Sequence, residues 1–204
     1  MTALHIRAAA LLAAAAVGLS LSACGTATKT AEDHSAHSSS AAAPQSAAHN
    51  EDDVLFAQLM IPHHQQAVEL ADMVPERSTN PDVLALAAKI AGAQQPEIDT
   101  MKAQLKQWGI NPAETQHETG HAGMSMQGMV DDTTMLNLRG LKGTDFDILW
   151  LTSMTGHHQG AIEMAKVEAE AGKSPEMTAL ARSIITAQQA EIDQMKKMLQ
   201  NLGG

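Results

Sequence analysis

Two histidine pairs, His63-His64 and His157-His158, each follow a methionine three positions upstream of the first histidine (Met60 and Met154) and precede a glutamine. Thioether and imidazole together form a soft-to-borderline ligand set, which favours Cu(I) through Met and suits Cu(II) through His. The same chemistry recurs in His121-Ala-Gly-Met124-Ser-Met126-Gln-Gly-Met129, a stretch broken by glycines and without helical period. Three Met within six residues of a polar loop have no obvious core to fill, so they read as a thioether cluster. Met101, Met164, Met195, Glu97 and Glu191 complete the metal-ligand candidates, although Met on a helix seam ordinarily packs. Ca²⁺ or Mg²⁺ would want more clustered carboxylates than these.

Such residues act together only if rigid elements hold them at common heights. Sliding the chain on itself by 94 residues aligns 53–109 with 147–203 without a gap. His63-His64-Gln65 falls on His157-His158-Gln159, Gln94-Gln95 on Gln188-Gln189, and Glu97-Ile98-Asp99 on Glu191-Ile192-Asp193. A long ungapped self-match of this kind marks an internal repeat. Each repeat reads as a helical hairpin. In repeat one the first helix is expected from about Asp53 to Val74. The second is expected from Pro81, capped by Asn80, to about Trp108 before Gly109. Repeat two uses Ser174-Pro175 and Gly203 in the same way, with its first helix starting near Thr144 or Asp145. Four amphipathic helices make a bundle. Residues 110–143, rich in Gly, Met and polar residues, form the long crossover between the hairpins.

The inward stripes are interrupted by polar residues. At about 100° per residue, Phe56, Met60, His63, Ala67 and Leu70 share one face. On the second helix the face holds Ala87, Ile90, Gln94, either Glu97 or Ile98, Met101, Leu105 and Trp108. Repeat two matches with Trp150, Met154, His157, Ala161 and Met164, then Ile184, Gln188, Glu191, Met195 and Leu199. Buried unpaired, such polar groups cost roughly 1–3 kcal/mol each, so they must pair, hold an ion or line a wet groove. His64 and His158 sit on the flank of the seam, within reach of an adjacent helix or of solvent. Pro62 and Gly156 precede the two His pairs and predict a local irregularity there, with a kink at Pro62.

Composition narrows the classes. The 204 residues include thirteen Met but only two Trp, two Phe and no Tyr, which disfavours an all-β fold. A net charge of −10 argues against a nucleic-acid partner. One Cys leaves no internal disulfide and no Cys-cluster metal site. Residues 1–23, with Arg7 and an apolar run from Ala8 to Leu21, read as a secretory signal peptide. Leu21-Ser22-Ala23-Cys24 resembles the bacterial lipobox, which implies lipidation of Cys24. Residues 24–50 then form the lipidated Cys and a flexible tether, and 51–204 the bundle. Outside the cytoplasm, Met and His persist better than a Cys-based copper site.

Met60-Ile-Pro-His63-His64-Gln65, Met154-Thr-Gly-His157-His158-Gln159-Gly160-Ala161-Ile162-Glu163-Met164-Ala165 and the two Ala-Gln-Gln-x-Glu-Ile-Asp-x-Met-Lys motifs resemble the domain-of-unknown-function family numbered 305, over roughly residues 50–203. The resemblance implies a ferritin-like four-helix bundle. Some members of that family are secreted or periplasmic copper-binding proteins linked to copper tolerance, and the His and Met of these motifs are then the ligand candidates. Repeat one departs from the family pattern, with Gln66 for the usual Gly and Leu70 for the usual Met, which implies two unequal sites.

The expectation is therefore an all-α, ferritin-like bundle of two duplicated hairpins. It belongs to a lipid-anchored envelope protein that captures copper, Cu(I) foremost, for buffering, tolerance or delivery to a protein partner by ligand exchange. A non-metal envelope lipoprotein with a self-paired polar seam is the alternative. A ferritin-like di-metal enzyme ranks last, because Glu97 and Glu191 are followed at i+3 by Thr100 and Gln194 rather than His. Sequence leaves open whether one chain supplies the four helices or two chains pair their hairpins.

Overall fold

The structure, a computed structural model, describes residues 48–112 and 127–203. The elements are α1 (Glu51–Asp72), α2 (Val74–Arg77), α3 (Pro81–Gln107), α4 (Asp132–Gly140), α5 (Gly143–Ala171) and α6 (Pro175–Leu202). All four long helices come from one chain, so no second copy is needed to complete the bundle.

Local chemistry explains the boundaries. Asn50 caps α1 through the backbone N–H of Asp53, and the Asp53 carboxylate accepts in return from the Asn50 backbone N–H. This reciprocal box starts α1 two residues before the expected Asp53. The helix continues through Pro62 and ends at Asp72, and Val74-Pro75 opens the short α2. Asn80 and Ser174 cap α3 and α6, each followed by Pro at the first helical position. No side chain caps α5; the chain enters it through Gly143, at φ +62°.

The expected crossover contains a helix that was not anticipated. Asp131 caps α4 through the backbone N–H of Thr134, and Met135 and Leu138, three residues apart, bury one face. With only two inward apolar residues in nine, α4 is too short for a clear period in sequence.

The core falls into two apolar clusters. One gathers Phe56, Met60, Ile98, Met101, Met164, Met177 and Ile184. The other gathers Leu70, Leu86, Ile90, Phe146, Trp150, Met154, Ile192 and Met195. Each helix enters one cluster and leaves through the other, so α1 and α6 run one way and α3 and α5 the other. The crossover thus returns the chain along the length of the bundle. At one end, Asn50 Nδ2 donates to the Ala171 carbonyl (2.9 Å); towards the other, Trp150 Nε1 donates to the Leu70 carbonyl (2.8 Å). Two positions differ from the predicted seam. Trp108 is half-buried and stacks on His49 at 4.4 Å, and Met198 is buried beside a half-buried Leu199. No helix among the described residues is long and apolar enough to cross a membrane.

Candidate metal centre

Between the two apolar clusters lies a polar layer of His63, His64, Gln94, Glu97, His157, His158, Gln188 and Glu191. The repeat fixes its height, because each residue of one hairpin has its counterpart 94 positions on. At its middle the His63 and His157 rings meet across α1 and α5, with centroids 3.7 Å apart and planes tilted by 39°. All four imidazoles are 0% exposed.

The flank histidines take the adjacent helix rather than solvent. His64 Nε2 lies 2.9 Å from Glu97 Oε2, and His158 Nε2 lies 2.9 Å from Glu191 Oε2. Each pair joins the two helices of one hairpin. Of the alternatives for α3, Ile98 fills the core and Glu97 turns to its histidine. A carboxylate only accepts, so each of these imidazoles carries a proton on Nε2, and in the neutral ring Nδ1 keeps its lone pair. Carboxylates commonly orient metal-ligating imidazoles in this way. The two pairs are not identical: Lys89 Nζ lies 3.3 Å from Glu191 Oε1, whereas the counterpart of Lys89 in repeat two is Ser183.

Burial keeps the central imidazoles neutral. It pushes the pKa of His63 down to about 3, helped by the neighbouring His64 and opposed by the Gln127 carbonyl. His157 is held well below the usual imidazole range by burial first and then by His63. Burial also lowers His158, against the pull of Glu191. Burial would raise Glu191, but His158 and Lys89 together hold it down. Neutral imidazole is the form that binds metal.

Nδ1 of all four imidazoles, Nε2 of His157 and both amide ends of Gln94 and Gln188 are buried without a hydrogen-bond partner. A lone pair on neutral imidazole is satisfied by a donor or by a metal cation, so the donor set fits a borderline-to-soft ion. Among the described residues, however, no three His, Cys, Asp or Glu side chains form a ready-made ligand group.

The methionines flank this layer. Met60, Met101 and Met164 pack in one apolar cluster, Met154 and Met195 in the other. Thr155 Oγ1 lies 3.8 Å from Met195 Sδ. Met129 is half-buried beside Val130. His121, Met124, Met126 and Cys24 lie outside the described residues. Sequence reading missed Lys89 and Gln127 as neighbours of the histidines. It noticed Gln66 only as a departure from glycine, whereas the structure joins its amide to the backbone of Val130.

The family model for the domain of unknown function DUF305 matches residues 53–199. Among solved structures, a DUF305 protein from Streptomyces coelicolor, proposed to be secreted, is 33% identical over 75% of this chain and 94% of its own, with a TM-score of 0.71. CopM in its Cu(I)-bound form is 32% identical over 74% of this chain and 98% of its own, with a TM-score of 0.63. The Cu(II)-bound form of CopM is 34% identical over 73% and 96%, with a TM-score of 0.60. No curated protein matches the chain.

Proposed function

The chain belongs to the DUF305 family, and on that premise we propose that it is an extracytoplasmic copper-binding protein, held at the cell envelope through a lipid on Cys24. The observation that carries this reading is the layer of four buried imidazoles, each with an unpartnered Nδ1, two of them oriented by carboxylates. The Cu(I)- and Cu(II)-bound CopM structures support it. In this reading His63, His64, His157 and His158 take the ion, with Met60, Met101, Met154, Met164 and Met195 as thioethers next to the layer. Glu97 and Glu191 set imidazole orientation rather than binding copper themselves. The protein captures and exchanges copper, for storage or for delivery to a partner, and turns nothing over.

A Cu(I) competition titration of the full chain against a coloured chelator tests this. A variant with all four histidines changed to Ala, shown to be helical by circular dichroism, is expected to lose copper capture by the bundle, a larger effect than the roughly 10–100-fold that loss of an outer-shell partner costs. A helical wild type that never competes would refute copper capture. The Met-rich loop contributes separately in this proposal. Changing Met124, Met126 and Met129 together is expected to lower Cu(I) stoichiometry and leave Cu(II) binding by histidine largely intact; equal loss of both would refute the separation.

Two observations favour the non-metal alternative. The His64–Glu97 and His158–Glu191 pairs satisfy part of the layer internally, and no three-residue ligand group is preformed among the described residues. The titration separates the two readings.

A further inference from the structure

The end of the crossover is bound to the histidine layer. Gln66 Nε2 donates to the Val130 carbonyl and Gln66 Oε1 accepts from the Val130 N–H, both at 2.8 Å. Three residues earlier in the crossover, the Gln127 carbonyl lies 3.1 Å from His63 Nε2. On the other side, the Gln127–Gly128 backbone rests against α5. A Cβ on Gly160 would overlap the Gln127 carbonyl, and one on Gly128 would lie 2.6 Å from the Gly156 carbonyl oxygen. Gly128 also sits at φ +84°, which favours glycine. Residues 127–130 therefore form a strap spanning α1 and α5 beside the point where His63 meets His157.

Gln66 and Gly160 are counterparts at the repeat offset of 94. In repeat one this position grips the strap; in repeat two it makes room for it. The departure from glycine at position 66 thus has a mechanical role.

We propose that Gln66 is a positioning residue for the metal site: by clasping Val130 it holds the strap so that the Gln127 carbonyl fixes the His63 proton on Nε2 and leaves Nδ1 to the ion. The proposal rests on the copper reading of the same layer. A carbonyl only accepts, so the contact selects one tautomer of His63. The Gln127 carbonyl makes its contact with His63, whereas the His157 ring packs on His63 itself. The strap therefore makes the two central imidazoles unequal ligands.

Two variants of the full chain disturb the strap by unrelated routes. Gln66→Ala removes the clasp from a half-buried helical position, and Gly160→Ala fills the notch. Both are expected to stay helical and to weaken Cu(I) binding by about tenfold. Gln66→Glu, which still accepts from the Val130 N–H, is expected to fall between them and wild type. In the apo protein, long-range ¹H–¹⁵N spectra are expected to show His63 losing its Nε2–H preference in both variants while His64 and His158 keep theirs. Unchanged copper affinity in both variants of a protein that binds copper would overturn the proposal. So would an unchanged His63 tautomer. A wild type that takes no copper, in variants that still shift the tautomer, would refute the copper reading and leave the positioning role standing.

Discussion

Glu168→Gln is expected to raise stability at pH 8 by about 3–5 kcal/mol and to flatten the dependence of stability on pH above 4.5. Glu168 is 1% exposed near the end of α5, and neither of its oxygens has a hydrogen-bond donor. Burial, reinforced by the Asp53 carboxylate beside it, pushes its pKa up to about 9. Burial would raise Asp53 as well. Its carboxylate, however, accepts from the backbone N–H groups of Asn50 (2.6 Å), Ser174 (2.9 Å) and Lys173 (3.1 Å), and these bonds with the Glu168 contact hold it below the usual range. The proton of the pair therefore sits on Glu168. The sign follows. Between pH 4.5 and about 9 the folded chain keeps a proton that the unfolded chain has released, so stability falls as pH rises through that window. Glutamine supplies a permanent donor to Asp53 and removes the loss.

Several kcal/mol is a large share of the usual 5–15 kcal/mol total, and corresponds to roughly 10 °C in melting temperature for a chain of this size. Urea unfolding of both proteins from pH 4.5 to 9 measures it. Parallel curves would show that Glu168 ionises without penalty. Asp53→Asn should act in the opposite direction, because it loses the charge that three backbone donors require. Gly172 belongs to the same arrangement: its φ is −62°, which any residue adopts, but a Cβ there would overlap the Glu168 carboxyl.

The duplicated seam was legible because burial repeats at helical spacing and the offset of 94 repeats it again. Phe56, Met60, His63, Ala67 and Leu70 are all buried, as their period requires. Capping chemistry at Asn80 and Ser174 is local and was equally readable. What escaped is chemistry between distant parts of the chain. Glu168 and Asp53 lie far apart in sequence, as do Gln66 and Val130, and no local pattern announces either pair. The only trace of the clasp was that Gln stands where its counterpart is Gly. Glu97 and Ile98 are neighbours about 100° apart on one helix, so periodicity alone could not choose which faces the core. The choice is made by His64, which gives the carboxylate a partner at the edge of the layer while Ile98 packs.

Changing His63 and His157 together to Leu is expected to stabilise the metal-free fold while abolishing copper capture by the bundle. Three of the four ring nitrogens of this pair are buried without a partner, and each such group costs roughly 1–3 kcal/mol. Apolar side chains of similar size would join the two flanking clusters into one core. The gain should grow in acid. With folded-state pKa values depressed, the unfolded chain binds protons that these two histidines refuse, so wild-type stability is lost as pH falls below 6.5, in the case of His63 down to about 3. The leucine variant lacks that loss. Urea midpoints at pH 7 and pH 4, with the Cu(I) titration beside them, give the comparison. A variant less stable than wild type at pH 7 would mean that the ring contact itself holds α1 against α5, and that the layer is structural. Greater stability with unchanged copper binding would move the metal away from the bundle. Greater stability with copper lost would identify the central pair as a cost the fold carries for its ligand, the trade expected of a functional site.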